Sequence, residues 1–485
     1  MQFALKTTRL GLRNSTTRLP FRYGTACLTR CPQATLEATI EIGGRLQSGF
    51  SGDCLPPSWF DKSPDKDFRQ QIADMLGVLE QSQRFFLAEA ALPVSFFPLW
   101  LAANDELHRQ AAADGTTPLL ASFGLSMVER AIMDALARAA GLPLARAVRE
   151  NVFGIEAAAV HPELRGLAPS DWLPAQPKES IYVRHTVGLG DPLTAAEIPP
   201  DERLNDGFPQ SLEEYVQTTG TRYFKIKLSR NLDHDCQRLL AAAAIIEPTR
   251  EGDYGVTLDG NELFETESDF EDLIGLLRGT SGLRTLWNNT LAIEQPLPRG
   301  VSLSTRHTRA IRELAQHKPV IIDEADGRLD SFRTAIDVGY RGVSSKACKG
   351  AIKSLLNAGL AWHHNDRGRN GRYVITGEDL CSVGIVPMQS DLCLAATLGL
   401  AHVERNGHHF HPGLSYLPDE QQRAALAAHG DLYARQHGRV APAVRDGCFS
   451  IASLQCPGFG FAVLPAWDSL HAADQWRYES LEIAS

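Results

Sequence analysis

Five stretches decide the fold: Tyr223-Phe-Lys-Ile-Lys-Leu228, Val256-Thr-Leu-Asp-Gly-Asn261, Leu291-Ala-Ile-Glu-Gln-Pro296, Val320-Ile-Ile-Asp-Glu-Ala325 and Gly342-Val-Ser-Ser-Lys-Ala-Cys-Lys-Gly350. Each is a short strand-like run with a charged residue at its end. In the first, alternation puts Phe224, Ile226 and Leu228 on one face and Lys225 and Lys227 on the other. The others place Asp259, Glu294, Asp323 and Lys346 at strand ends, with Asn261 on the Asp259 face. From Lys227 to Asp259, Glu294, Asp323 and Lys346 the steps are 32, 35, 29 and 23 residues. Each step is about one β/α unit.

Further runs extend the pattern. Ile181–Val187 precedes the five, and Tyr373–Thr376 and Ile385–Met388 follow them, which makes eight strand candidates. Helical stretches fall between most of them: Asp233–Ile246, Ser268–Leu277, Thr308–Gln316, Ser331–Val338 and Ala351–Gly359. Eight strands with intervening helices predict a (β/α)8-type barrel, whose catalytic side chains emerge at the C-terminal strand ends. A doubly wound open sheet is the alternative. Gly188-Leu-Gly190 lacks the third glycine of a dinucleotide fingerprint and carries little weight.

Outside the barrel region, Thr35–Ile42 reads as a strand and Gly49-Phe-Ser-Gly-Asp53 as a flexible loop. Phe68–Leu92 and Ser126–Ala140 read as helices, the second ended by Gly141-Leu-Pro143. Residues 151–180 are Pro-rich and irregular. The tail from about Ala424 is a helix followed by short strands, with turns at Arg445-Asp-Gly-Cys448 and Pro457-Gly-Phe-Gly460. No acidic residue precedes Glu37, while Lys6, Arg9, Arg13, Arg18, Arg22 and Arg30 do. That bias fits a transit peptide or a first strand with a basic loop. The strand is the expectation, because Leu19–Gly24 runs on into Thr35–Ile42 without a cleavage-type break.

Composition narrows the function classes. The 485 residues are 43% hydrophobic and 22% charged, which is globular and not disordered. Lys plus Arg is 48 against 58 for Asp plus Glu, a net charge of −10, which argues against a nucleic-acid partner. No apolar run approaches the roughly 20 residues of a membrane span. The nine cysteines are scattered with no CxxC, so reduced thiols and a cytoplasmic location are expected.

Three carboxylates at the mouth of one barrel form a hard site for Mg²⁺ or Mn²⁺. Lys227 and Lys346, on strands far apart around the ring, would flank it. A small carboxylate substrate chelated there has its α-carbon open on both faces. Proton removal gives an enediolate, whose second charge a metal stabilises. Nearby cations are expected to lower the pKa of Lys227 toward working pH.

Lys225-Ile-Lys227, Asp259-Gly-Asn261, Glu294-Gln-Pro296, Asp323-Glu324 and Lys346 together resemble the enolase superfamily. Within it the match is to the muconate lactonizing enzyme branch, which also holds dipeptide epimerases, N-succinylamino acid racemases and o-succinylbenzoate synthases. The strand-six lysine points there; the mandelate racemase branch would use a His–Asp pair. The resemblance implies an α/β fold, a modified (β/α)7β barrel with an α+β cap built from both chain ends. It divides the chain into cap (1–180, with a linker or insertion at 151–180), barrel (181–425) and a C-terminal return to the cap (426–485). Leu19–Gly24 and the Gly49–Asp53 loop would close over substrate.

Carried over by residue, Asp259, Glu294 and Asp323 are metal ligands, Lys227 and Lys346 the acid/base pair, and Lys225 a contact to the substrate carboxylate. Asn261 and Asp391 are further substrate-binding candidates. The dipeptide epimerases carry two aspartates near strand eight; here Met388-Gln-Ser-Asp391 retains one, and a helix N-cap is its competing role. Extra sequence lies at about 62–118, 151–180 and 190–220.

The implied activity is racemisation, epimerisation, cycloisomerisation or syn-elimination by a homo-oligomeric enzyme. A Schiff-base or metal-dependent barrel aldolase or hydrolase, and a non-catalytic binding protein, are the alternatives. Trp362-His-His-Asn365 reads as a surface loop. His408-His-Phe-His411 reads as hydrogen-bonding to the cap rather than holding a metal. Glu378-Asp379, after strand seven, either lines the pocket or starts a helix.

Overall fold

The computed structural model describes residues 1–24, 26–368 and 372–482. Eight parallel strands form the barrel: Ser180–Val187, Tyr223–Lys227, Gly255–Asp259, Thr290–Glu294, Val320–Ile322, Gly342–Ser345, Val374–Gly377 and His402–Glu404. Each pairs with the next, and the last closes on the first through Val403 against Val183. Helices follow the first seven strands, so the architecture is (β/α)7β. Apolar side chains such as Phe224, Ile226, Val256, Leu258 and Ile293 are buried outward between strands and helices. The alternate residues point into the barrel, which is how lysines and carboxylates come to face one another.

The eighth strand is not where the sequence reading put it. Ile385–Met388 belongs to a helix, Val386–Thr397, whose Pro387 sits in the first turn, where its missing N–H costs nothing. All twelve residues of that helix are buried, so it shows no polar face to mark it as helical. The true strand, His402–Glu404, is three residues long, too short to display alternation. Trp362–Asn365, expected in a loop, lies in the last turns of the helix Ala351–Asp366.

The cap is built from the N-terminal chain. A long hairpin pairs Gln2–Tyr23 with Ala26–Ile42, and Arg45–Cys54 adds a third antiparallel strand. The basic N-terminus is therefore the first strand of this sheet, as expected. The Gly49–Asp53 segment is strand and not a flexible loop. Its glycine serves close approach: a Cβ at Gly49 would lie 2.1 Å from the backbone nitrogen of Ala135. The C-terminal tail returns to both bodies. Cys448–Ser450 pairs with the first barrel strand, and His471–Ala472 with the first cap strand at Leu12 and Gly11.

One helix joins cap and barrel. Pro118–Ala139 starts at Thr117, whose hydroxyl accepts from Leu120 N at 3.3 Å, with Pro118 in its first turn. Nearly every side chain from Leu119 to Ala137 is buried. On one side Arg130 forms a buried ion pair with Asp53 of the cap sheet. On the other, Ser126 donates to Cys348 O at 2.9 Å, and Glu129 accepts from Ile352 N at 2.7 Å. Those contacts fix the loop that follows Lys346. No helix among the described residues is long and apolar enough to cross a membrane.

Candidate active site

The parallel register sets the site. Lys227 pairs with Asp259, and Asp259 with Glu294, so three charged residues stand side by side on neighbouring strands. Glu294 pairs with Ile321, which puts Asp323 on the same face two residues further on. Lys346 follows the sixth strand directly. Gln295, held at φ 32°, accepts from the backbone N–H of Asp323 at 2.8 Å and of Ala325 at 3.1 Å. Its amide donates at 2.7 Å to Ser302 Oγ. This buried side chain thus aims the strand-five loop.

Lys225 is the hub. Its Nζ is 2.8 Å from Glu294 Oε1, 2.9 Å from Glu404 Oε2, 3.0 Å from Glu378 Oε2 and 3.2 Å from Asp259 Oδ2. Burial alone would lower its pKa, but these carboxylates carry it well above the ordinary value. Lys227 Nζ lies 2.5 Å from Asp259 Oδ2 and 3.4 Å from Asn261 Oδ1. Burial opposes its charge, but Asp259 together with Glu404 and Glu294 overcomes burial, so the Lys227 pKa is raised. The sequence expectation rested on a metal together with Lys225; among the protein's own charges the surrounding carboxylates set the opposite direction.

Across the mouth, Lys346 Nζ is 2.7 Å from Asp323 Oδ2 and 3.1 Å from Glu378 Oε2, with the Trp59 ring of the cap 4.5 Å away. Burial is again outweighed, by Asp323 first, and its pKa is well above the usual range. Lys349 and the Ser344 hydroxyl complete the cage around Asp323. Burial would raise Asp323, but Lys346 and Lys349 hold it well below the carboxylate range. Glu294 goes the other way: burial and then Glu378 raise it strongly. Glu324, next to Asp323 in sequence, lines the pocket; burial and Asp323 push it up to about 7.

Glu294, Asp323 and Glu378 each bring one carboxylate oxygen within 4.8 Å of the other two, the geometry of a metal-binding triad. The donors fit a hard divalent cation, and Glu294 Oε2 is buried without a hydrogen-bond partner. Asp259, the ligand expected from sequence, stands outside that triad and bonds to Lys227 and to the Asn261 N–H at 2.7 Å. Glu378 is anchored by Arg184 at 2.8 Å, with both side chains fully buried.

The pocket draws its walls from both bodies. Phe21, Arg22 and Tyr23 of the hairpin tip and Trp59 of the cap cover it, over Lys225, Lys227, Asn261, Asp323 and Lys346. Asp391 is not brought there. It lies inside the helix Val386–Thr397, neither at the pocket nor at the helix N-cap, and its Oδ2 is 3.4 Å from Arg405. Burial, against the pull of Arg405, raises its pKa to about 6.

No protein-family model matches the chain, and no curated protein matches it. Solved structures do. A muconate lactonizing enzyme from Pseudomonas fluorescens, complexed with muconolactone, is 14% identical, with 95% of this chain and 97% of that one covered and a TM-score of 0.58. An enolase from Bradyrhizobium, complexed with magnesium and mandelic acid, is 16% identical, with 95% and 96% covered and a TM-score of 0.57. A dipeptide epimerase from Enterococcus faecalis is 12% identical, with 95% and 99% covered and a TM-score of 0.57. The chain has the enolase-superfamily fold.

Within that fold, two acidic residues escaped the sequence reading to different degrees. Glu378, which the sequence allows either to line the pocket or to start a helix, is in the triad. Glu404 ends the eighth strand, which the sequence reading places at Ile385–Met388. It accepts from Asn406 Nδ2 at 2.9 Å and from the Thr186 hydroxyl. The available signal was spacing, since Glu404 follows Glu378 by 26 residues, one more β/α unit. Arg184, a charge inside the apolar run Ile181–Val187, was the other clue.

Proposed function

We propose that this protein is a divalent-metal-dependent enzyme that removes the proton α to a substrate carboxylate, with Lys227 and Lys346 as acid and base. The observation that supports this best is the placement of the two lysines on opposite sides of one acidic triad, under a cap that closes the pocket. The likeness in fold to racemases, cycloisomerases and epimerases agrees with it. Glu294, Asp323 and Glu378 would hold Mg²⁺ or Mn²⁺, with Asp259 the further carboxylate at the same mouth. The metal would stabilise the second negative charge that builds on the carboxylate as the α-proton leaves.

The chain's own groups do the rest. Lys225 offers its ammonium to a substrate carboxylate oxygen once one of its four carboxylates turns to the metal. Asn261 holds Lys227 toward the pocket. The lysine acting as base must first be neutral, and the anions around both lysines oppose that, so the base form grows as pH rises. The opposite lysine, kept protonated, returns a proton to the other face. Phe21, Tyr23 and Trp59 exclude water from the carbanion.

The test is isotope exchange. Candidate carboxylic acids are incubated with enzyme and Mg²⁺ in D₂O and read for α-deuterium. Incorporation that needs metal and both lysines is the expected result. Exchange that persists in a Lys227→Ala, Lys346→Ala double variant would sink the reading, as would its absence over a broad acid library.

A further inference from the structure

Two of the nine cysteines meet. Cys31, on the second hairpin strand, and Cys54, ending the third cap strand, have Sγ atoms 2.9 Å apart, against about 2.05 Å in a disulfide. They sit diagonally at the end of the ladder, where Gln33 is paired with Cys54. Both are fully buried, and they pack with Leu28, Phe21 and Tyr23 as a small cluster of their own. Scattered spacing concealed this pair, because 23 residues and a strand reversal separate its members.

The pair stands under the cover of the catalytic pocket. Phe21 and Tyr23 line that pocket from the hairpin tip. The chain after Cys54 supplies Pro56, Ser58 and Trp59 to the same wall. Polar links join the hairpin to this segment near the thiols: the Tyr23 hydroxyl donates to Pro57 O at 2.7 Å, and Leu55 N donates to Pro32 O at 3.0 Å. A covalent bond between Cys31 and Cys54 would therefore join the two halves of the pocket's cover.

We propose that Cys31 and Cys54 are a redox modification site, at which a hydroperoxide oxidises the dithiol to a disulfide that clamps the pocket cover. The balance is simple. One thiol is oxidised by the peroxide to a sulfenic acid with release of one water. The second thiol's sulfur then attacks it, the S–O bond breaks as the S–S bond forms, and the second water leaves. The peroxide oxygens gain the two electrons that the two sulfurs lose. Reduction by a small dithiol reverses the step. The inference is independent of the catalytic reading.

Burial, with Cys31 alongside, pushes the Cys54 thiol up, so little thiolate is present at neutral pH and oxidation should quicken as pH rises. The experiment treats the intact chain with hydrogen peroxide, unfolds it without reductant, alkylates free thiols and maps peptides by mass spectrometry. The expected result is a Cys31–Cys54 cross-linked peptide, seven alkylated cysteines in place of nine, and full recovery of nine after dithiothreitol. Hydrogen exchange of the hairpin tip should slow severalfold in the oxidised form. Cys31→Ser should keep its remaining thiols free under the same treatment. If that variant fails to fold, the wild-type map decides alone. Cys31 and Cys54 both alkylated, or either one linked to a different cysteine, overturns the proposal.

Discussion

The ammonium of Lys225 stands 2.8 Å from Glu294 Oε1, so a lysine occupies a carboxylate of the candidate metal triad. A cation arriving at Glu294, Asp323 and Glu378 has to displace that contact. Removing the competitor should help it: Lys225→Met is expected to bind Mn²⁺ about tenfold more tightly, roughly 1.4 kcal/mol. Glu294→Gln and Glu378→Gln should each weaken binding by about tenfold or more. Calorimetric titration of Mn²⁺ decides it, and unchanged affinity in Glu294→Gln would remove the triad from consideration.

Lys227 and Lys346 address opposite faces in the proposed chemistry, so their loss should be stereochemically one-sided. For any acid whose two enantiomers both exchange in the wild type, Lys227→Ala should stop exchange from one enantiomer and Lys346→Ala from the other. The losses should be about 100- to 10,000-fold. NMR of α-deuterium in each resolved enantiomer reads this directly. Equal losses for both enantiomers in both variants would point to a single lysine acting as acid and base.

Metal should also report on folding. A cation that binds only the folded chain at about 100 times its Kd adds about 2.7 kcal/mol of stability. The melting temperature should rise with Mg²⁺ or Mn²⁺ and return with chelator, and Asp323→Asn should abolish the response.

Buried histidines predict acid lability. Burial lowers His108, His161 and His411 to about 4 and His185 to about 3. Each folded-state value lies below the unfolded one of about 6.5, so the unfolded chain binds more protons in that window. The stabilisation is full above about pH 6.5, declines as the pH falls and is lost through the folded values near 4 and 3. Urea midpoints should therefore drop steeply from pH 7 to pH 5, with proton uptake on unfolding. A flat profile would contradict these directions.

The cap strand and the connecting helix touch through Gly49. Gly49→Ala puts a methyl group against the Ala135 backbone and should cost about 1–3 kcal/mol or more. Denaturant unfolding measures it. Loss without a change in metal affinity would separate the cap contact from the triad.

The barrel was legible because its strands carry charge at their ends and helices between them at regular spacing. Seven of the eight strands fall where those runs lie. The eighth was hidden by Pro387, which marks a helix start as readily as a turn, and by the brevity of His402–Glu404. Asp391 illustrates a different limit. An aspartate after an apolar run looks the same in sequence whether it faces a pocket or, as here, pairs with Arg405 behind the pocket wall. The direction of the Lys227 pKa is a property of the fold, set by how Asp259, Glu404 and Glu294 gather around a buried ammonium. Gly49 shows that a glycine-rich run marks close contact as well as freedom.

The pairing of Leu12 with His471 has a consequence for biosynthesis. The cap's first strand leaves the ribosome about 460 residues before its partner, with the whole barrel made in between. The barrel can form meanwhile, and Val94–Ser95 pairs early with Gln2 and Phe3, but the edge at Gly11 and Leu12 stays unpaired until the tail arrives. A nascent chain held by a chaperone over that interval would be spared edge-to-edge association, and a ribosome stalled late in the message would leave that edge exposed.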